Sequence, residues 1–311
     1  MTSVERVLDY CSLDQESPAQ VPPNLRPPLS WPSHGEIVFN NVSMRHSTQT
    51  YLPLDLDHIS MTIRASEKVG IVGRTGAGKS SLIQTLFRIG TLVDGQIKID
   101  NIDIASVGLD DVRRRISIVP QDSVIFTGTM RSNLDPFTDY SDEEIWHALE
   151  EVQLKTLVAE AMSDGLHSMV SESGSNLSAG QKQLVCLARA ILKQSKIIVI
   201  DEATANVDNS TDELIQRIIR EKFSECTVLT VAHRLRTVID SDRVLVLGHG
   251  KLLEFDTPAV LLSNPTSHFT SLVEHSGSVE AKHLRALANA KLSQQSINHG
   301  CINDGMDITS N

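Results

Sequence analysis

Eight consecutive residues, Gly73-Arg74-Thr75-Gly76-Ala77-Gly78-Lys79-Ser80, have the types and spacing to hold a phosphate chain. The glycines let successive backbone N–H groups turn inward around the oxygens, where a side chain would intrude. Lys79 would neutralise the β and γ oxygens, and the Ser80 hydroxyl would be a ligand for Mg2+. An apolar run at 69–72 precedes the loop, and a helical pattern with Leu82, Ile83, Leu86 and Phe87 comes after it. Strand, glycine loop and helix is the context this motif needs. The helix beginning near Lys79, with Ser80 and Ser81 in its first turn, adds the positive end of its dipole.

Two further segments could do chemistry. Asp201-Glu202 ends the apolar run 197–200, the pattern of a strand buried on both faces. Such a strand delivers the residues at its carboxyl end to the sheet edge where α/β ligands bind. There Asp201 would hold Mg2+ through water, and Glu202 would accept a hydrogen bond from an attacking water and act as base. A solvated turn carrying two acids is the plainer reading, and the phosphate loop upstream weighs against it. Leu177-Ser178-Ala179-Gly180-Gln181 opens a long helix, so its amides and hydroxyl could face an anion. Taken by itself, the segment reads more simply with Ser178 as an ordinary helix cap. Its place about twenty residues before the acidic strand favours the anion.

These residues need a scaffold. Strands are expected at 37–42, 59–63, 68–72, 97–100, 116–119, 197–200, 228–231 and 244–247. Ser141 with Glu144 spells a capping box ahead of Ile145, Ala148, Leu149 and Val152 on one helical face. A second helix is expected over about 181–193. Ser210 with Glu213 spells another capping box, opening a helix with Leu214, Ile215, Ile218, Ile219 and Phe223 inward. Strand and helix alternating around a phosphate loop imply a mostly parallel α/β sheet with a helical insertion before position 190. Six of the eleven prolines lie between Pro18 and Pro32, so residues 1–35 read as an irregular linker, after a weak helical face of Val4, Leu8 and Cys11. Beyond about 276 the chain turns small and polar. Leu284, Leu287 and Leu292 could support a loose helix there, with 294–311 expected to be disordered.

With 311 residues, 40% hydrophobic and 22% charged, the chain suits one large domain or two modest ones. A net charge of −11 weighs against nucleic acid as a main partner, which needs a basic face. Cys11, Cys186, Cys226 and Cys301 are scattered, the pattern of reduced thiols and not of a zinc site. No leader-like apolar core and no apolar stretch approaching the ~18–20 residues of a membrane span are present, so any membrane location is expected to come from other segments or partners.

Joined to Gln121 after the apolar run 116–119 and Pro120, to the LSxGQ helix and to a lone His233, these motifs resemble the ATPase of ABC transporters over about residues 36–275. Closer wording, such as Phe126-Thr-Gly-Thr-Met-Arg, Asn133-Leu-Asp-Pro-Phe, Glu172-Ser-Gly-Ser-Asn and Asp201-Glu-Ala-Thr-Ala-Asn-Val-Asp, is similar to the C subfamily. Within it the wording resembles the second nucleotide-binding domain of the multidrug resistance-associated proteins. That resemblance implies a P-loop NTPase with a RecA-like core, an antiparallel β subdomain and a helical subdomain at about 122–192. It implies ATP and Mg2+ as ligands, Gln121 as a magnesium sensor coupled to membrane domains, His233 on the γ-phosphate and Asp208 at a partner interface.

The implied partners are a second nucleotide-binding domain and the transmembrane domains of an exporter of organic anions or xenobiotics, on the cytoplasmic face of the plasma membrane. Gly73–Ser80, Gln121, Asp201, Glu202 and His233 would form one site, and Ser178 to Gln181 would complete the partner's. Residues 1–35 would lead in from the membrane domain, and 276–311 would be a tail. Two departures stand out. The family stacks adenine on an aromatic residue, and spacing from Val42-Ser43 puts His46 there, with Tyr51 the nearest aromatic alternative. Ala179 stands where the fully active signature has glycine, a weakening that in the second domain of this subfamily commonly accompanies an intact catalytic glutamate, here Glu202. The alternatives are an orphan or regulatory ABC ATPase and, less favoured, a soluble ABC protein acting on DNA or ribosomes.

Overall fold

The computed structural model describes residues 2–303 apart from 14, 48, 50, 202, 204–206 and 233, with side chains up to Lys291. Helix α1 (Thr2–Cys11) precedes β1 (Ile37–Arg45), β2 (Leu56–Ile63), β3 (Lys68–Val72), α2 (Lys79–Leu86), β4 (Thr91–Ile99) and β5 (Ile102–Asp103). The middle carries α3 (Leu109–Arg115), β6 (Ile116–Val119), β7 (Gly128–Thr129), α4 (Met130–Leu134), α5 (Asp142–Glu151), β8 (Met169–Val170) and α6 (Ala179–Lys193). Then come β9 (Ile197–Asp201), α7 (Asn209–Lys222), β10 (Thr227–Val231), α8 (Leu235–Val238), β11 (Arg243–Gly248) and β12 (Lys251–Asp256). Helices α9 (Pro258–Ser263), α10 (His268–His275) and α11 (Ser278–Asn303) end the described chain.

Strand β9 shows how the sequence builds the layers. Ile197 and Val199 point into one core, with β1, β2, β4 and α2. Ile198 and Ile200 point into another, with α4, α5, α6 and α7. A strand buried on both faces has no polar alternation to show, and its sequence shows none. It lies in a six-stranded sheet of order β12-β11-β3-β10-β9-β6. Strands β11, β3, β10, β9 and β6 run parallel and β12 closes one edge antiparallel. A separate antiparallel sheet, β2-β1-β4-β5, covers one face, and the helical segment between β6 and β9 covers the other. This is the architecture that the resemblance implies.

Local signals explain most element ends. The Ser141–Glu144 capping box forms as expected, and Ile145, Ala148, Leu149 and Val152 behind it are buried. Helix α7 differs from expectation: its cap is Asp208, whose side chain accepts from the Thr211 N–H, so Ser210 lies inside the first turn. The C-terminal stretch differs more. Where disorder and at best a loose helix are expected, α11 runs to Asn303 and buries Ala281, Leu284 and Ala288 in a third core with Val72, Val244, Phe269 and Val273. The expectation for 304–311 lies outside the described residues. No helix among the described residues is long and apolar enough to cross a membrane.

The proline-rich stretch is irregular and it is fastened down. Trp31 is buried and donates its indole N–H to the Ile99 carbonyl at 2.9 Å. The carbonyls of Pro18 and Ala19 accept from the first amides of α3, Leu109 and Asp110, and Glu16 pairs with Arg113 at 2.8 Å.

Candidate functional site

The parallel strands bring the sequence-predicted segments to one edge. Val231 is level with both Ile71 and Asp201, and Val119 with Ile200, so β3, β10, β9 and β6 end together. Neighbouring strands lie about 4.8 Å apart, so the phosphate loop after β3 and Pro120-Gln121 after β6 flank an edge about 14 Å wide. Asp201, half-buried, is the last residue of β9 on that edge.

Within the loop, Arg74, Thr75 and Gly76 are exposed, whereas Ala77 and Lys79 are buried. Gly76 has φ +78° and Gly78, the residue just before α2, has φ +102°. Both are left-handed conformations that a side chain resists, and they turn the loop's amides inward. No side chain caps the N-terminus of α2, which leaves its first amides to a ligand. The Lys79 ammonium donates to the Gly73 carbonyl at 2.9 Å and to the Arg74 carbonyl at 3.4 Å, curled over its own loop. Ser80 is exposed and Ser81 half-buried in the same first turn.

The donors available to a cation at this edge, the Ser80 hydroxyl, the Asp201 carboxylate and the Gln121 amide, are all oxygen donors. That set suits a hard divalent ion held partly by phosphates and water. No cluster of three or more His, Cys, Asp or Glu placed to hold a metal exists among the described residues. Expectations for Glu202 and His233 fall outside the described residues.

The expected adenine-stacking position is tied into the loop's own helix. The His46 ring hydrogen-bonds Gln84 of α2 and lies 2.9 Å from Asp55. Those two partners, Gln84 foremost, raise its pKa above the ordinary histidine value. Tyr51 is 78% exposed, its hydroxyl donating to Gln49, and so makes little of the wall here.

Ser178 and Gln181 form a reciprocal capping box: the Ser178 hydroxyl accepts from the Gln181 N–H at 3.2 Å, and the Gln181 side chain accepts from the Ser178 N–H at 2.8 Å. The capping alternative therefore holds, and it leaves the serine proton free to donate elsewhere. Ala179 is exposed beside it, and Gly180 packs against Thr211 of α7. Helix α6 runs antiparallel to β6. Lys193 donates to the Ile116 carbonyl at the strand's start, and Gln183 donates to the Pro120 and Gln121 carbonyls past its end. Ser178, five residues before Gln183, thus projects about 7 Å further, beyond the edge. Asp208, also expected at an interface, caps α7, and its carboxyl is held down at about 2 by the Ser210 hydroxyl and by the N–H and hydroxyl of Thr211.

Sequence reasoning misses three α6 side chains that hold this site's flank. Besides Gln183, Arg189 donates to the carbonyls of Val124 at 2.7 Å and Asn133 at 2.6 Å. Lys193 donates to the carbonyls of Arg113 and Ile116, and burial, with Arg114 nearby, lowers its pKa to about 8. The available signal is positional: Gln183 falls in a row with Gly180, Leu184 and Leu187, a polar residue on a buried helical face.

Comparison with known proteins shows the family. Residues 56–205 match the family model described as ABC transporter. ATP-binding cassette sub-family C member 4 of Mus musculus is 55% identical over 93% of this chain and 21% of its own length. The probable multidrug resistance-associated protein lethal(2)03659 of Drosophila melanogaster is 52% identical over the same shares. The chain thus spans about a fifth of the length of these curated relatives. Among solved structures, a bacterial Atm1-family ABC exporter with ATP bound superposes with a TM-score of 0.77 at 32% identity, covering 89% of this chain and 47% of that one.

Proposed function

Because the chain carries an ABC-transporter ATPase domain of the C subfamily, we propose that it binds MgATP across the carboxyl edge of its parallel sheet and hydrolyses it in a head-to-tail pair with a second such domain. The observation that carries this reading is the common end of four adjacent strands, which sets the Gly73–Ser80 loop, Asp201 and the Gln121 segment around one edge. In this reading the loop amides of residues 73–80 wrap the phosphates, and Lys79 exchanges its two carbonyl partners for phosphate oxygens. Ser80, Asp201 and Gln121 hold Mg2+, which when bound neutralises charge on the phosphates. Glu202 orients and deprotonates the attacking water, His233 contacts the γ-phosphate, and His46 lies against the base.

Ser178, Gly180 and Gln181 serve the partner's nucleotide, because their helix end projects beyond the chain's own edge. Asp208 lies near the seam between the two domains. Binding closes the pair and hydrolysis reopens it, and that cycle drives transmembrane domains that export organic anions or xenobiotics. The likeness to an exporter with ATP bound, and relatives named for multidrug resistance, support that role, and in this reading the domain works on the cytoplasmic face of the membrane. Glu202→Gln, assayed with the partner domain, should keep ATP binding and lose most turnover, since only the water-activating group changes. Near-normal hydrolysis in that variant would remove the base assignment.

A further inference from the structure

Gln183 lies on the inward face of α6 and is only 4% exposed. Its side-chain amide donates to two consecutive carbonyls, Pro120 at 3.1 Å and Gln121 at 2.9 Å. Turning the amide over would set its oxygen against both carbonyl oxygens, so the orientation is fixed. The Oε1 atom is then left buried with no hydrogen-bond partner among the described residues. A leucine would fill the space without that unpaired acceptor, so the glutamine's value at this position lies in what its donors hold.

The held object is the segment that carries Gln121. Arg189, less than two turns along the same helix, secures its far side through Val124 and Asn133. Helix α6 also carries Ser178 and Gln181 at its first turn, locked to the helix by their reciprocal cap. One rigid element therefore bears both the end offered to the partner's nucleotide and the anchor for a group of this chain's own site.

We propose that Gln183 is a positioning residue that fixes the Gln121 segment to α6, so that engagement of the Ser178 end sets the geometry of Gln121 toward the metal. It acts through the backbone of Pro120 and Gln121 and not on the nucleotide. The inference rests on the role of Gln121 as a magnesium ligand proposed above.

The test is the affinity of the full chain for a fluorescent ATP analogue, with and without Mg2+, in wild type, Gln183→Leu, Gln121→Ala and the double variant. Magnesium should tighten binding by wild type. Gln183→Leu should keep the metal-free affinity and lose about tenfold of the magnesium gain, and the double variant should match Gln121→Ala alone because both act on one contact. A wild-type magnesium gain in Gln183→Leu, or losses that multiply in the double variant, would overturn the inference while leaving the nucleotide site standing. Wild type that ignores magnesium would overturn the metal role of Gln121, and this inference with it. If the leucine variant does not fold, Gln183→Met, which fills similar space and cannot donate, takes its place in the same comparison. A wild-type magnesium gain in that variant overturns the proposal in the same way.

Discussion

Leu284→Ala tests whether the C-terminal helix is part of the machine that holds the phosphate loop. Leu284 is fully buried, in one core with Val72, Val244, Phe269 and Val273. The substitution removes three carbons, at about 0.8 kcal/mol each on transfer, so about 2.4 kcal/mol. The core around it is built by two parallel strands and helices α8, α9 and α10, which cannot collapse freely into the gap, so a residual cavity raises the total to about 3–4 kcal/mol. For a chain of this size that corresponds to a fall in melting temperature of about 5–6 °C. Urea denaturation and thermal melting would read it, with Val279→Ala as control. Val279 lies on the same helix, 82% exposed, and its truncation should stay within about 0.5 kcal/mol. If Leu284→Ala costs no more than Val279→Ala, the helix does not dock as described and the reasoning fails.

Three further outcomes are expected. Lys79→Ala should weaken ATP binding tenfold or more in equilibrium titration, because a charge-assisted contact to phosphate contributes about 1.5–3 kcal/mol; unchanged affinity would contradict the phosphate role. Asp208 titrates at about 2 in the folded chain against 3.8 for the free side chain, so its stabilising contribution is complete above the unfolded value and is lost as pH falls through the folded one. The melting-temperature gap between wild type and Asp208→Ala should therefore narrow from about pH 5 to about pH 2, and a constant gap would refute the capping account. His46→Tyr offers the base a larger ring and should tighten ATP several-fold, since base–aromatic stacking is worth about 1–3 kcal/mol; weaker binding would show that the bonds of His46 to Gln84 and Asp55 matter more than its face.

The phosphate loop, Asp201 and Gln121 are legible in the sequence because each comes directly after an apolar run, and parallel strands must deliver their carboxyl-end residues to one edge. The Ser210–Glu213 box misleads for a local reason: Asp208, two residues earlier, captures the Thr211 N–H first, and spacing alone cannot rank two competing caps. Strand β12 goes unseen because it is an edge strand, half-exposed and without a continuous apolar run. Helix α11 is faint because two of the three anchors buried among its described side chains, Ala281 and Ala288, are small. Its order comes from a groove built by β3, β11, α8, α9 and α10, which no local pattern contains. Gln183 hides for the opposite reason: an amide in a helix reads as solvated until the fold sets two carbonyls in front of it.

One consequence of the reciprocal cap on α6 concerns how loss-of-function variants at Ser178 must be interpreted. The same oxygen that would meet a neighbouring nucleotide already ends a helix. Alanine there strips both duties at once, and any drop in turnover mixes a frayed helix with a missing ligand contact. Glycine, nearly as good a terminator as serine but without a hydroxyl, separates the two: what alanine harms and glycine spares belongs to the scaffold, and what both harm belongs to the chemistry.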